Sequence, residues 1–141
     1  MATKINKIIV TLFLVLLPCV SIAEVLVAGL SCDAIEASTE PQKHYLMLYK
    51  TTSNQTGYSK MCLDQLSSAL TYAWNCRTLP STLVNEITSN IAYGQPLWFL
   101  HRKTLKFSNP ATYQCQLGAD PAAMKARVEG LKAKQLEGNQ L

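Results

Sequence analysis

The stretch YSKMCLDQLSSALTYAWNC, residues 58–76, carries the strongest helical periodicity in the sequence. Its apolar side chains recur at three- and four-residue spacing, as on one face of an amphipathic helix. These side chains are Cys62, Leu66, Ala69, Leu70 and Ala73. The pattern predicts a single helix over residues 58–75. It therefore predicts a mostly α fold, a small helical bundle.

A second helix is expected directly after the first. Residues 77–80 read as a short turn, and an apolar stripe follows over residues 81–93. Gly94 lies where a helix C-terminal cap belongs. Because the connection is short, the two helices should pack as antiparallel neighbours.

Three other apolar stretches are ambiguous between helix and strand: residues 24–31, 44–50 and 96–107. In the last, Pro96 could open a helix, but apolar residues also alternate in places, as they do in a strand. Both interpretations stay open at this point.

A final helix is expected near the C-terminus. Asp120 is a typical N-cap, and Pro121 suits the first helical position. The helix should run to about Leu136. Its apolar stripe is thin: Met124, Val128 and Leu131. We therefore expect it to dock loosely or to project, so that its removal leaves the remainder folded.

The N-terminus has the form of an export signal. Two lysines precede an apolar run at residues 8–17, and the small-x-small site SIA follows at residues 21–23. The run is shorter than the ~20 residues that a membrane-spanning helix needs. Residues 1–23 are thus predicted to be a signal peptide, with the mature chain starting at Glu24 in a periplasm or outside the cell. An uncleaved signal anchor and a eukaryotic secretory origin remain open.

The size and charge of the mature chain limit its function. Residues 24–118 should form one domain, followed by the C-terminal helix and tail at residues 119–141. The whole chain has 13 basic and 9 acidic residues, and two lysines leave with the signal. The remaining net charge of +2 is too weak to indicate nucleic-acid binding.

Four cysteines remain in the mature chain, since Cys19 lies in the signal. They are Cys32, Cys62, Cys76 and Cys115. An even number in an exported domain indicates two disulfides. A single helix over residues 58–75 would separate Cys62 from Cys76 by about 21 Å, too far for a bond. That excludes their pairing. The predicted helical hairpin returns the chain to the Cys62 end, and residues 96–107 carry it back towards the Cys76 end. This path favours Cys32–Cys62 with Cys76–Cys115, and leaves Cys32–Cys76 with Cys62–Cys115 as the alternative.

The sequence predicts no catalytic site, no metal site and no cofactor. His44 and His101 are the only histidines, and no G-x-S-x-G nucleophile motif accompanies them. There is no C-x-x-C redox pair, and zinc ligation by cysteines this widely spaced does not suit an oxidising compartment. A small hydrolase is accordingly disfavoured.

The most suggestive surface is the stretch PLWFLHRKTLKF, residues 96–107. Trp98, Arg102, Lys103 and Lys106 combine an aromatic ring with cations, a combination common at binding patches and membrane surfaces. We expect these four residues to contact a partner protein, with a weak membrane-surface contact as a further expectation. The competing interpretation places the aromatics in the core and the cations on a solvated face.

The block from Cys62 to Cys115 resembles the Rap/Tai type of periplasmic immunity proteins, which protect against type VI secretion amidases. The shared elements are a cysteine opening a helix, a cysteine and a proline before the next helix, a Leu-Val pair and a final cysteine. They are Cys62, Cys76, Pro80, Leu83, Val84 and Cys115. The chain lacks that family's Gly-Tyr-Ile segment. The resemblance implies an exported, helical, disulfide-bonded protein that binds another protein.

Together these features predict an exported, non-enzymatic protein-binding module, a periplasmic inhibitor or immunity protein. The alternative is a structural accessory of an envelope conjugation or secretion apparatus, which a polar C-terminal helix would suit. The oligomeric state and the identity of the partner do not follow from the sequence.

Overall fold

The computed structural model describes residues 23–51, 57–66, 74–79, 86–89 and 97–138, which form eight strands and one helix. The strands are β1 (Glu24–Ala34), β2 (Lys43–Thr51), β3 (Lys60–Leu63), β4 (Asn75–Thr78), β5 (Glu86–Ser89), β6 (Trp98–His101), β7 (Lys106–Asn109) and β8 (Ala111–Leu117), and the helix is α1 (Pro121–Glu137). The strands build one antiparallel sheet in the order β4-β3-β2-β1-β8-β7-β6-β5. Two four-stranded meanders are thus joined side by side through β1 and β8.

The predicted mostly α fold is wrong, and so is the helical architecture that the family resemblance implied. The region predicted as one helix over residues 58–75 instead contains β3 and the first residue of β4. In β3, Met61 and Leu63 face one side of the sheet and Cys62 faces the other. Pairing of β3 with β2 and β4 overrides the helical periodicity, because tertiary context outweighs local propensity. Residues 67–73, which carry the rest of that pattern, lie outside the described residues.

The second predicted helix is wrong as well, and strands occupy all three of the ambiguous stretches. Residues 86–89 of the second predicted helix form β5, while residues 81–85 and 90–93 lie outside the described part of the chain. Of the stretch 96–107, residues 97–107 adopt the strand interpretation, as β6 and the first half of β7 joined by a turn, and residue 96 lies outside the described residues. Leu105 closes this turn with a positive φ of 55°.

The sheet curls so that its two halves face each other. Its concave face holds the main core, which is built by side chains of seven strands and by Leu79, directly after β4. Fully buried members include Leu30, Leu46, Met61, Ile87, Trp98, Phe107 and Tyr113. Alternation along each strand sends every second residue into this core. Burial of large apolar side chains is thus the main force that closes the fold.

Helix α1 covers the opposite, convex face over β1 and β2. The Asp120 side chain accepts a hydrogen bond from the Ala123 N–H at 3.0 Å, and Pro121 begins the helix, which confirms the predicted N-terminus. Val128 is buried in a second cluster with Met47 and Cys62. The helix therefore packs on the sheet, in contrast to the expected loose docking.

Gly29 permits the close approach of α1 to β1. A Cβ atom at this position would lie 3.1 Å from the Met124 sulfur and 3.3 Å from the Pro121 Cα. Few real Cβ atoms tolerate contacts this short. A side chain at position 29 would push the helix away from the sheet.

Both disulfides join residues directly opposite each other in neighbouring strands. Cys32 of β1 is bonded to Cys115 of β8, and Cys62 of β3 is bonded to Cys76 of β4. All four cysteines are paired as expected, but the partners differ from both predicted connectivities. The exclusion of Cys62–Cys76 was wrong because it assumed a helix between them. The Cα atoms lie 4.0 Å apart, since the chain returns as an adjacent strand.

The two disulfides lie in different parts of the fold. Cys32–Cys115 lies in the core on the concave face, while Cys62 faces α1 on the convex side. Disulfides form and persist in an oxidising compartment, and both bonds are consistent with one. Within the described residues, no helix is long and apolar enough to cross a membrane.

Candidate functional site

A cleft of about 460 Å³ opens at the end of the sheet where β2 begins and β3 ends. The loop before β2 and the turn between β7 and β8 complete its walls. We call it the polar cleft. Its polar and aromatic walls include Glu40, His44, Asp64, Asn75, Asn109 and Tyr113. Amide, carboxylate, imidazole and phenol groups thus converge on one opening.

A buried histidine–aspartate pair forms the wall of the polar cleft. His44 Nδ1 lies 3.1 Å from Asp64 Oδ1, and each residue is only 5% exposed. His44 is the second residue of β2, and Asp64 directly follows β3. The antiparallel pairing of these two strands brings them together. An N–H at Nδ1 can donate to this carboxylate, and Nε2 is then the second polar atom of the ring.

The Asp64 carboxylate is held by three N–H donors. Besides His44, the backbone N–H of Tyr45 donates to Oδ1 at 2.6 Å, and the backbone N–H of Leu66 donates to Oδ2 at 3.3 Å. Hydrogen bonds of this kind compensate the burial of a charged group. Asp64 therefore ties the start of β2 to the segment after β3, and it fixes the orientation of the imidazole.

Tyr113 supports the same wall from β8. Its ring centroid lies 4.9 Å from that of His44 in an edge-to-face arrangement, and its hydroxyl donates to the Pro41 carbonyl at 2.9 Å. Burial raises the pKa of Tyr113 above its usual value, and the nearby charges of Asp64 and Glu40 raise it further. The phenol therefore stays protonated and acts as a fixed donor.

The polar cleft is equipped for hydrogen bonding more than for covalent chemistry. The amides of Gln65, Asn75 and Asn109 can each donate and accept. Among the described residues that line the cleft, none carries a hydroxyl or thiol nucleophile apart from the Tyr113 phenol. Nucleophilic catalysis needs such a group within reach of the base. Binding of a polar segment is the simpler use of this arrangement.

The four residues predicted to contact a partner do not share one surface. Trp98 is 1% exposed and packs in the core, edge-to-face with Phe107. Lys103 and Lys106 are exposed, and Arg102 lies 5.2 Å from the ring centroid of Tyr58. Arg102 and Lys103 belong to the turn after β6, while the Trp98 ring lies in the core, as the competing interpretation held. A partner contact at the three cations stays a prediction.

The second histidine has a structural role. His101 Nδ1 accepts a hydrogen bond from the backbone N–H of Thr104 at 3.2 Å and so closes the β6–β7 turn. Within the described ranges, no group of three or more His, Cys, Asp or Glu side chains converges to hold a metal ion.

Sequence reasoning missed the pairing of His44 with Asp64. The two residues are 20 positions apart, and only strand pairing joins them. One signal could have indicated it: if residues 44–50 are a strand, His44 shares a face with Leu46 and Leu48. A histidine on an apolar face needs a buried partner.

No family model, no curated protein and no solved structure matches this chain. The fold and the polar cleft are thus the basis for assigning a function.

Proposed function

We propose that this protein is an exported, non-enzymatic module that binds another protein, and that the polar cleft receives part of that partner. The observation that carries the proposal is the cleft itself, which is open and rich in hydrogen-bonding groups around a rigid His44–Asp64 pair. Sites of this kind orient a bound segment through a few fixed polar groups. A protruding polar loop of the partner is the expected occupant.

Two features support export: the disulfides of the structure and the signal peptide predicted from the sequence. The disulfides require an oxidising compartment to persist, and the sequence carries a predicted signal peptide. Strand β1 begins at Glu24, the first residue after the predicted cleavage site. The Glu24 carboxylate pairs with the Lys60 ammonium of β3. Cleavage after Ala23 would therefore leave the strand intact.

An inhibitor or immunity protein of the periplasm is the role that we favour within the protein-binding class. Such a protein must stay folded where no energy source or cytosolic chaperone assists it. Two disulfides and a curled sheet suit that requirement. The partner would be an enzyme or toxin whose exposed loop enters the polar cleft.

Capture of the partner tests this function. The mature chain, residues 24–141, is immobilised and exposed to envelope extracts, and cross-linked partners are identified by mass spectrometry. Replacing both Asn75 and Asn109 by leucine should reduce capture at least tenfold, because the amides then no longer bond to the partner. Lys134→Ala, on the exposed end of α1, is the matched control and should leave capture unchanged. Equal capture by all three proteins would contradict the proposal.

A hydrolase that activates water is a second candidate, favoured by the geometry of His44 and Asp64. An imidazole oriented by a carboxylate is a suitable general base. Hydrolysis of p-nitrophenyl acetate by the mature chain, lost in His44→Gln with partner capture retained, would favour this candidate. Absence of turnover in the wild type together with capture would favour the binding module.

A further inference from the structure

On the side that faces β8, strand β1 is paired along only about half of its length within the described residues. Strand β2 pairs with residues 24–33 of β1, whereas β8 pairs with residues 30–34 alone. Among the residues that the structure describes, no strand pairs with residues 24–28 on the β8 side. We call these five residues the open edge. With respect to the described part of the chain, their backbone N–H and C=O groups on this side can pair with another strand.

The course of β8 explains the open edge. After Leu117 the chain leaves the sheet, and Gly118 donates its N–H to the Gly29 carbonyl at 2.8 Å. It then turns into α1 at Pro121. At the same level, a β-bulge between Leu26 and Ala28 bends β1. Strand β8 therefore does not continue beside residues 24–28.

An apolar cleft of about 220 Å³ lies beside the open edge, at the end of the sheet opposite the polar cleft. Its walls include Ala28, Leu30, Leu48, Ile87, Leu100 and Leu117. Leu117 is 64% exposed, and Val25 of the open edge is 47% exposed. Leu117 thus continues the apolar lining of the cleft onto the surface, and a contiguous exposed apolar patch is a feature of interaction sites.

Cations border the same cleft. Lys50 Nζ and the Arg102 guanidinium carbon lie 5.1 Å and 5.2 Å from the ring centroid of Tyr58, which lines the cleft with Arg102. Lys50 is also the direct β2 neighbour of Val25. The rim of the apolar cleft is therefore positively charged, which favours an occupant with an acidic residue.

We propose that the open edge binds an extended segment of the partner protein by strand addition. Alternate apolar side chains of that segment enter the apolar cleft, and an acidic residue meets the Lys50–Arg102 rim. Backbone hydrogen bonds to residues 24–28 supply affinity, and the cleft supplies specificity. Five residues of strand span about 17 Å, so a segment of five to seven residues would fill the edge. This inference rests on the proposed function and names the chemistry of the partner.

A synthetic peptide tests strand addition directly. The probe is a fluorescein-labelled peptide of sequence Thr-Val-Thr-Leu-Thr-Val-Glu, titrated with the mature chain and followed by fluorescence anisotropy. Leu117→Asp should weaken binding at least tenfold. Leu131→Asp is the matched control, because Leu131 is an exposed leucine of α1 at 45%. It should bind as the wild type does.

Backbone participation is measured separately. Two further peptides carry N-methyl groups on every second residue, one in each register. One register should lose binding and the other keep it, since only alternate N–H groups bond to a neighbouring strand. Hydrogen exchange of residues 24–28 should slow at least tenfold in the peptide complex.

Several outcomes would overturn the proposal. They are absence of peptide binding, protection confined to the polar cleft, and equal binding of both N-methylated peptides. A dimer in sedimentation experiments, with residues 24–28 protected in the absence of peptide, would assign the edge to a second copy instead. Partner capture that survives Leu117→Asp but not the Asn75 and Asn109 changes would overturn strand addition alone and leave the proposed function standing.

Discussion

The guanidinium carbon of Arg77 lies 3.7 Å from the ring centroid of Trp98. Arg77 belongs to the edge strand β4, and Trp98 belongs to β6, six positions away in the sheet order. The contact therefore spans the curl of the sheet and joins its two meanders. Both residues are buried, and burial lowers the pKa of Arg77 below its usual value. A desolvated cation over an indole is among the stronger cation–π arrangements.

Loss of the Trp98 ring should be costly for this reason. Trp98→Ala is expected to lower the free energy of unfolding by about 3–5 kcal/mol, through lost burial and a cavity in the core. Leu97→Ala is the matched control, since its side chain is exposed, and it should change stability by less than about 0.5 kcal/mol. Urea unfolding of the mature chain measures both. A Trp98→Ala protein of wild-type stability would place this ring outside the core.

The disulfide connectivity can be read by peptide mapping without reduction. Lys60 and Arg77 bound a tryptic peptide, residues 61–77, which contains both Cys62 and Cys76 and no internal basic residue. A second cleavage with chymotrypsin should release two fragments joined by this bond. A separate linked pair should contain Cys32 and Cys115. A fragment that links Cys32 to Cys62 would contradict the sheet topology.

The two disulfides should differ in their contribution to stability. They close loops of 83 and 14 residues. Loop entropy then gives about 4.5 kcal/mol for Cys32–Cys115 and about 3 kcal/mol for Cys62–Cys76. Replacing each pair by alanine and comparing urea midpoints measures this order. A larger loss of stability on removal of the Cys62–Cys76 bond would show that packing in the native state outweighs the loop entropy.

Helix α1 should contribute to the stability of the sheet. The sequence pattern led us to expect that truncation after Gly118 leaves the domain folded. The packing of Val128 on Met47 and Cys62 leads to the opposite expectation. Val128→Ala should lower the free energy of unfolding by about 1.6 kcal/mol, because it removes two buried methyl-sized groups. Leu131→Ala, on the exposed face, is the control. If neither substitution changes the melting temperature, the helix is dispensable.

The contacts of Glu129 with Lys125 and Trp74 should make stability depend on pH. A hydrogen bond from Lys125, with a further one from Trp74 Nε1 at 3.1 Å, holds the pKa of Glu129 below its ordinary value of 4.5, although burial opposes this shift. A lowered carboxyl pKa stabilises the fold above the unfolded value, and this stability is lost as the pH falls through the folded pKa.

In Glu129→Gln, the free energy of unfolding should therefore fall less steeply as the pH decreases from about 5 to about 3. Trp74→Phe removes the indole donor to Glu129 and should flatten it partly. Urea unfolding across this range measures both variants. A profile in Glu129→Gln that is as steep as in the wild type would show that other carboxylates dominate acid unfolding.

The C-terminal helix was predictable because its signals are local. Asp120 caps the first turn of the helix and Pro121 occupies its first position, so both signals depend on neighbouring residues only. The same holds for the presence of two disulfides, which follows from an even number of cysteines and a predicted export signal. Neither inference depends on how distant segments meet.

The strands were not predictable in the same way. Strands β3 to β7 are four residues each, too short for alternation to be told apart from a helical face. Residues 96–107 kept the strand interpretation open, whereas residues 58–75 did not. There the spacing of Cys62 and Leu66 suits a helix, but Cys62 instead pairs across the sheet with Met47 and Cys76.

The candidate sites depend wholly on this pairing. His44 meets Asp64 only because β2 and β3 are antiparallel with Leu46 opposite Leu63. The open edge of β1 exists only because β8 turns away after Leu117. Neither segment alone identifies the residue or strand that it meets.

The sequence by itself therefore determined the C-terminal helix and the oxidation of four cysteines, because local capping and cysteine number act without distant partners. Only the tertiary structure decided the sheet, the partner of each cysteine and both clefts. The physical reason is that a strand satisfies its backbone hydrogen bonds on other segments, whereas a helix satisfies them within itself.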